Sequence, residues 1–136
     1  MSSRGSIAKN GHVANHEYDT KSITPSGVKI LSGRSKQYHS LPDYSHSPNA
    51  AYAKMKPDEK TLHELRIYDE NGNPLIEISY HPEPKINNGD RQTNIVHYHT
   101  FIGVERVKTP FKMSEHFEIK EKCKSYLKEF DLYDKC

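Results

Sequence analysis

The sequence predicts an α+β domain, with an antiparallel meander sheet of about four strands and a C-terminal helix packed on one face. Short apolar and aromatic runs alternate with turn residues between positions 51 and 101. An Asn71-Gly72 pair separates two of these runs, which is a strong hairpin signal. Apolar residues then recur at helical spacing near the C-terminus. The length of 136 residues fits one small domain.

The predicted strands cover residues 51–55, 61–68, 75–81 and 94–101. Because side chains alternate between the two faces of a strand, the residues divide into two sets. The apolar set, expected to pack beneath the helix, is Leu65, Ile67, Ile76, Ile78, Val96 and Tyr98. The polar set, expected on an open face, is Glu64, Arg66, Tyr68, Glu77, Ser79, His81, His97 and His99.

The segments on either side of the sheet are predicted from composition and spacing. After Ser114, a candidate N-cap, apolar residues from Phe117 to Leu132 recur at helical spacing and predict one helix. Residues 1–31 are rich in Gly, Ser, Asn and His and are expected to form a flexible, irregular arm. Residues 32–136 are then the single α+β domain.

Composition and charge exclude several classes of protein. The net charge of +2 does not by itself indicate a nucleic-acid partner. The two cysteines do not make a disulfide scaffold. No apolar run is long enough to cross a membrane, and the first residues contain no secretory signal, so a cytoplasmic protein is expected.

The stretch His97-Tyr98-His99 is the most informative part of the chain. Its two imidazoles point to the same side of the predicted fourth strand, about 7 Å apart. Histidine can hold or release a proton near neutral pH. Two imidazoles on one rigid surface can therefore share acid and base roles, or they can bind a metal ion.

One candidate chemistry is metal-independent cleavage of RNA. A neutral imidazole removes the 2′-hydroxyl proton, and a protonated imidazole donates to the 5′-oxygen leaving group. His97 and His99 are the candidate pair, or either works with His81. Arg66 or Arg91 is the candidate cation for the phosphoryl oxygens. The candidate substrate-binding residues, besides Arg91, are Tyr68, Ser79, Tyr80 and His39.

A second candidate chemistry is metal-dependent hydrolysis. His81, His97 and His99 together offer three nitrogen ligands for Zn²⁺, with a fourth position open to water. Glu77 is an alternative ligand. The metal-independent mechanism, in contrast, needs no cofactor.

Three segments also carry a family resemblance. They are Leu65 to Pro74, Glu77 to Pro82 and Asn94 to Phe101, and they resemble nuclease modules of bacterial polymorphic toxins and phage head-morphogenesis fusions. Those modules belong to the group of barnase, the uridylate-specific endoribonucleases, the tRNA-cleaving colicins and RelE. Residues 32–39 resemble the start of such a module. This chain departs from the family by placing its clear helix after the sheet.

The resemblance implies a metal-independent endoribonuclease with catalysis by histidines and a cation. Its positions match His81, His97, His99 and His39. It further implies RNA, such as tRNA, as the substrate, an immunity or inhibitor protein as a partner, and a bacterial or phage-infected cytoplasm. The alternative from another class is a non-enzymatic phage or mobile-element protein that uses the same sheet to bind another protein.

Overall fold

The computed structural model describes residues 18–33 and 41–136. This part of the chain contains one sheet of eight strands. The strands are β1 Tyr18–Ile23, β2 Lys29–Gly33, β3 Ala51–Met55, β4 Leu62–Tyr68, β5 Pro74–His81, β6 Ile95–Ile102, β7 Glu105–Arg106 and β8 Phe111–Lys112. The α-helices are α1 Phe117–Lys122 and α2 Lys124–Glu129, and turns of 3₁₀ helix cover Pro84–Ile86, Met113–Glu115 and Tyr133–Lys135. None of these helices is long and apolar enough to cross a membrane.

The strands lie side by side in chain order from β1 to β7, and β8 pairs with β6. Among the described strands, β2 and β3 form the parallel pair, and the other neighbours are antiparallel. The predicted α+β class and the meander from β3 to β6 are confirmed. The two-residue strands β7 and β8 were not predicted, because so short a segment carries no periodic signal.

The arm predicted for residues 1–31 differs from the structure over residues 18–31. There the chain forms the hairpin β1–β2, which extends the sheet beyond β3. The turn closes through a hydrogen bond of 2.8 Å from the Gly27 amide to the Thr24 carbonyl. Gly27 has a φ of +87°, which glycine adopts without strain. Val28 and Leu31 are buried and anchor this otherwise polar hairpin to the domain.

The apolar face of the sheet packs against the C-terminal segment, as predicted. Leu65, Ile78 and Val96 are buried there together with Leu127 and Leu132. The single predicted helix is instead divided into α1 and α2, which meet at Cys123, with φ of −98° and ψ of 13°. His116, not Ser114, occupies the position before α1. Met113 is fully buried and anchors the 3₁₀ turn that contains Ser114.

The second face was predicted to be open, and this prediction is wrong. Its buried polar and charged residues include Glu64, Arg66, Glu77, Ser79, His97 and His99. Over Arg66 and Tyr68, the cover is a segment that includes Leu41 and Pro42. The Arg66 Nη1 atom donates to the carbonyls of Leu41 and Pro42, at 3.1 and 3.2 Å, and the Tyr68 hydroxyl also donates to Pro42. His81, at the end of β5, is only half-buried.

Candidate metal centre

Strands β5 and β6 bring three imidazoles together on this buried face. His97 lies opposite Ser79 in the register of the two strands, and His99 lies opposite Glu77. The ring centroids of His81 and His97 are 4.8 Å apart, and those of His97 and His99 are 5.7 Å apart. The three predicted imidazoles therefore lie side by side, with His97 between His81 and His99, and the two on β6 are buried.

Backbone carbonyls hold the rings of both β6 histidines. The Nδ1 atom of His97 lies 2.9 Å from the Ile95 carbonyl oxygen, and that of His99 lies 2.9 Å from the Val107 carbonyl oxygen. Because a carbonyl only accepts a hydrogen bond, each Nδ1 carries the proton. In the neutral rings, both Nε2 atoms then keep their lone pairs. In metal-binding histidines, the ring nitrogen that does not bind the metal typically donates a hydrogen bond to a group such as a carbonyl, which fixes the orientation of the ring.

Burial keeps these rings neutral. The pKa of His97 is lowered to about 4, mainly by burial and to a smaller extent by the nearby His81 and His99, against the opposing effects of the Ile95 carbonyl and Glu83. Burial also lowers the pKa of His99, and Arg106 adds to that effect. At neutral pH, protons therefore compete weakly for the two Nε2 atoms.

Glu83 completes a set of three potential metal ligands. One ligating atom each from Glu83, His97 and His99 lies within 4.8 Å of the other two. Glu83 stands two residues beyond β5, where its carboxylate accepts a hydrogen bond of 3.2 Å from the Lys85 amide. The Nε2 atom of His97 is buried and has no hydrogen-bond partner among the described residues. An orphaned buried nitrogen costs about 1–3 kcal/mol, which a bound ion would offset.

The group of potential ligand atoms differs from the three histidines predicted from the sequence. His81 lies against His97, but it does not belong to the group of converging ligand atoms, and its Nδ1 is 3.0 Å from the Pro82 carbonyl oxygen. Glu83 takes its place. Glu77, the predicted alternative ligand, is bound on both carboxylate oxygens by Arg66 and Arg106.

Arg66 is placed differently from its predicted role as the substrate cation. Its Nε and Nη2 atoms donate to one oxygen of Glu77, at 2.9 and 2.6 Å, and its Nη1 atom donates to backbone carbonyls. Burial is the largest single effect and lowers the pKa of Arg66, but Glu77, Tyr68 and Glu64 together outweigh it and the net shift is upward. The guanidinium is thus a charged part of the buried structure and has no side open to a phosphate.

The other predicted substrate-binding residues are scattered. Tyr68 is buried, and its hydroxyl is bonded to Pro42. Ser79 is buried opposite His97, with no hydrogen-bond partner for its hydroxyl in the described part of the chain. Tyr80 lies on the apolar face beneath the Lys56 ammonium, and Arg91 is exposed in the loop between β5 and β6. His39 falls outside the described residues.

Two residues of the site were not predicted. Glu83 lies between the third and fourth predicted strands, and its spacing from His81 places a carboxylate just beyond a strand that ends in histidine. Arg106 follows a turn at Gly103, where φ is +62°, and pairs with Phe101. The glycine after β6 was the available signal for that hairpin.

A scan against protein-family models finds no match, and neither the curated proteins nor the solved structures that were compared match this chain. The resemblance to nuclease modules over residues 32–102 stays a prediction from its own residues.

Proposed function

We propose that this protein is a divalent-metal-dependent hydrolase whose ion is bound by Glu83, His97 and His99. The observation that carries the proposal is the geometry of the two imidazoles. Both direct their protonated nitrogen to a carbonyl and so keep an unprotonated Nε2, and both rings belong to a group of ligand atoms that converges with the carboxylate of Glu83. This is the arrangement expected of zinc ligands with their supporting hydrogen bonds.

The number and type of ligands favour hydrolysis over a structural metal. Structural zinc sites use four protein ligands, whereas catalytic sites use three and keep one position for water. An ion in such a site supplies a water activated near neutral pH. In this chain, two neutral imidazoles and one carboxylate would provide the three ligands. Their backbone hydrogen bonds would hold the rings in place without rearrangement.

Metal-independent cleavage of RNA is the second candidate function. It is supported by the adjacent rings of His97 and His99 and by the resemblance to toxin nucleases. That mechanism needs one imidazole to be protonated, whereas burial lowers the pKa of both. This argument from the pKa of the two rings favours the metal-dependent reaction.

Metal binding can be tested directly with Co²⁺, which reports tetrahedral coordination by its visible absorption. The full chain, freed of metal with a chelator and dialysed, is expected to bind one equivalent of Co²⁺ and to release it to Zn²⁺. The variants Glu83→Gln, His97→Gln and His99→Gln should each weaken binding by at least about tenfold. Unchanged affinity in all three variants would overturn the site.

A matched control for this titration is His116→Gln. The Nδ1 atom of His116 also lies 2.9 Å from a carbonyl oxygen, that of Lys112, but its ring contacts Tyr98 and Phe111 on the apolar face. This variant removes a carbonyl-bonded imidazole and should leave Co²⁺ affinity unchanged. An equal loss in this variant would mean that the metal binds to surface histidines in general.

Activity can be tested with total tRNA, with and without EDTA. Cleavage that is lost on chelation and restored by Zn²⁺ is the expected result. Cleavage that survives chelation would instead establish the metal-independent endoribonuclease. Stoichiometric Co²⁺ binding without hydrolysis of RNA or of simple phosphate esters would overturn the hydrolase, and would favour a protein-binding module stabilised by a metal.

A further inference from the structure

We infer that the metal site acts on phosphate esters and that Arg106 binds the phosphoryl oxygens of the substrate. This inference rests on the proposed metal-dependent hydrolase and names its class of substrate. It is carried by the position of Arg106 beside the histidines, by the exposure of its guanidinium, and by the N–H donors that its ion pair with Glu77 leaves unused.

The β6–β7 hairpin places Arg106 on the face that carries the histidines. His97, His99 and Phe101 alternate along β6 and therefore share one face. Arg106 lies directly opposite Phe101 in the register, so its side chain is on the same face. The next residue, Val107, supplies the carbonyl that holds the His99 ring. The same short segment thus orients one metal ligand and presents one cation.

The two guanidinium groups that pair with Glu77 differ in exposure. One oxygen of the Glu77 carboxylate binds Arg66, and the other lies 3.0 Å from Nη1 of Arg106. Arg66 also has the Asp43 carboxylate 4.0 Å away. The side chain of Arg66 is 7% exposed and that of Arg106 is 40% exposed, so Arg106 is the guanidinium of this pair that faces solvent.

The guanidinium of Arg106 also has N–H groups that are not used in the ion pair with Glu77. Glu77 takes one of its N–H groups, and within the described residues no other hydrogen bond of its guanidinium is found. The planar fork of N–H donors suits the oxygens of a phosphate group. The hydrogen bond to Glu77 fixes the side chain in advance, which reduces the entropy lost on binding.

The positive groups of the site favour an anionic substrate. A divalent ion with Glu83 as its one charged ligand would keep one positive charge, and the exposed guanidinium of Arg106 lies on the same face. A phosphate ester has several free oxygens, so one can face the ion while another faces the guanidinium. A carboxylate offers only two oxygens for the same contacts.

The test uses the Co²⁺-loaded full chain and inorganic phosphate as the probe. Phosphate is expected to change the visible spectrum in a saturable way, and acetate at the same concentration is expected to change it much less. Arg106→Gln should weaken phosphate binding by about tenfold while Co²⁺ affinity stays the same. Arg106→Lys keeps the charge but not the planar fork of donors. Its phosphate affinity should lie between those of the unmodified chain and Arg106→Gln.

Lys108→Gln is the matched control, because it removes one exposed positive charge two residues away. Its phosphate affinity should equal that of the unmodified chain. An equal loss in both variants would overturn the role of Arg106 in favour of general surface charge. Equal responses to acetate and phosphate would overturn the substrate class.

The outcomes also separate this inference from the proposed function. Co²⁺ binding without any phosphate response would overturn the inference alone, whereas failure of the unmodified chain to bind Co²⁺ would overturn both. Parallel cleavage assays with bis(4-nitrophenyl) phosphate and 4-nitrophenyl phosphate distinguish a diester substrate, as in RNA, from a monoester. Hydrolysis of either one, reduced in Arg106→Gln, supports the inference, and hydrolysis unaffected by that variant contradicts it.

Discussion

The two faces of the sheet are both buried, but different forces stabilise them. On the apolar face, Leu65, Ile78 and Val96 contact the C-terminal helices, and shape and apolar area are all that the packing requires. On the other face, Arg66 and Glu77 lie buried beside the imidazoles, and each needs a specific partner. Removing a methyl group from the apolar face leaves a small cavity. Removing one partner of an ion pair from the polar face leaves the other charge unpaired in a medium of low dielectric constant.

This difference indicates which face is specialised for function. Buried ion pairs contribute little net stability compared with apolar residues of similar volume. A face that was only structural would therefore gain little from Arg66, Glu77 and two imidazoles. Their arrangement is instead suited to holding His97 and His99 in one orientation and to displaying positive charge at Arg106.

The largest expected effect comes from removing one member of the buried ion pair. Arg66→Met leaves the Glu77 carboxylate buried with only Arg106 as a partner and removes the donors to the Leu41 and Pro42 carbonyls. The free energy of unfolding should fall by about 3–5 kcal/mol. Urea denaturation followed by circular dichroism measures this change.

The double variant Arg66→Met with Glu77→Leu is the control for that measurement. It replaces both charges with apolar side chains of similar volume and should recover a large part of the lost stability. A double variant no more stable than the single one would mean that the donors to the covering segment, not the charge, dominate the loss. A single variant that loses less than about 1 kcal/mol would contradict the buried pair altogether.

Leu127→Ala makes the corresponding change on the apolar face. Leu127 is 1% exposed in the core, so its truncation should cost about 3 kcal/mol through lost apolar contact and a residual cavity. The affinity for Co²⁺ should stay within about twofold of the original, because Leu127 lies on the opposite face of the sheet from the proposed metal ligands. Urea denaturation and the Co²⁺ titration together test this separation, and a large loss of affinity would show that the faces are coupled.

The division into two faces could be predicted from the sequence, whereas the burial of the second face could not. Alternation along β4, β5 and β6 depends only on strand geometry, so Leu65 and His97 were assigned to the correct sides. The cover over Arg66 comes from Leu41, which is 25 residues away in the chain. Its carbonyl accepts from Arg66 and its side chain is buried with Tyr52 and Tyr68, and local periodicity does not predict contacts between segments so far apart in the chain. Glu83 likewise reaches the histidines from a loop.

The polar face should also make stability depend on pH in the metal-free protein. Burial lowers the pKa of His97 from 6.5 to about 4, so between these values the unfolded chain binds more protons than the folded one. Stability is then fully present above about pH 6.5 and falls as pH decreases towards 4, by about 2–3 kcal/mol. The groups that act on His97 are His81, His99 and Glu83, and the lowered pKa of His99 gives a slope of the same sign.

Urea denaturation at several pH values in the presence of EDTA measures this dependence. His97→Gln, which cannot titrate, should flatten the curve between pH 4 and 6.5, and His116→Gln should leave it unchanged. Stability that is constant over this range in the unmodified chain would mean that the His97 ring is not shielded from solvent as the structure shows.

The smallest effect is expected for an ion pair outside both faces. Lys21 and Glu59 form a salt bridge whose side chains are 45% and 68% exposed, whereas those of Arg66 and Glu77 are 7% and 2% exposed. Lys21→Ala should change the free energy of unfolding by less than about 0.5 kcal/mol, and the change should shrink further in high salt. Urea denaturation at low and high ionic strength measures it. A loss comparable to that of Arg66→Met would contradict the argument that burial, and not the presence of opposite charges, makes the polar face costly to disrupt.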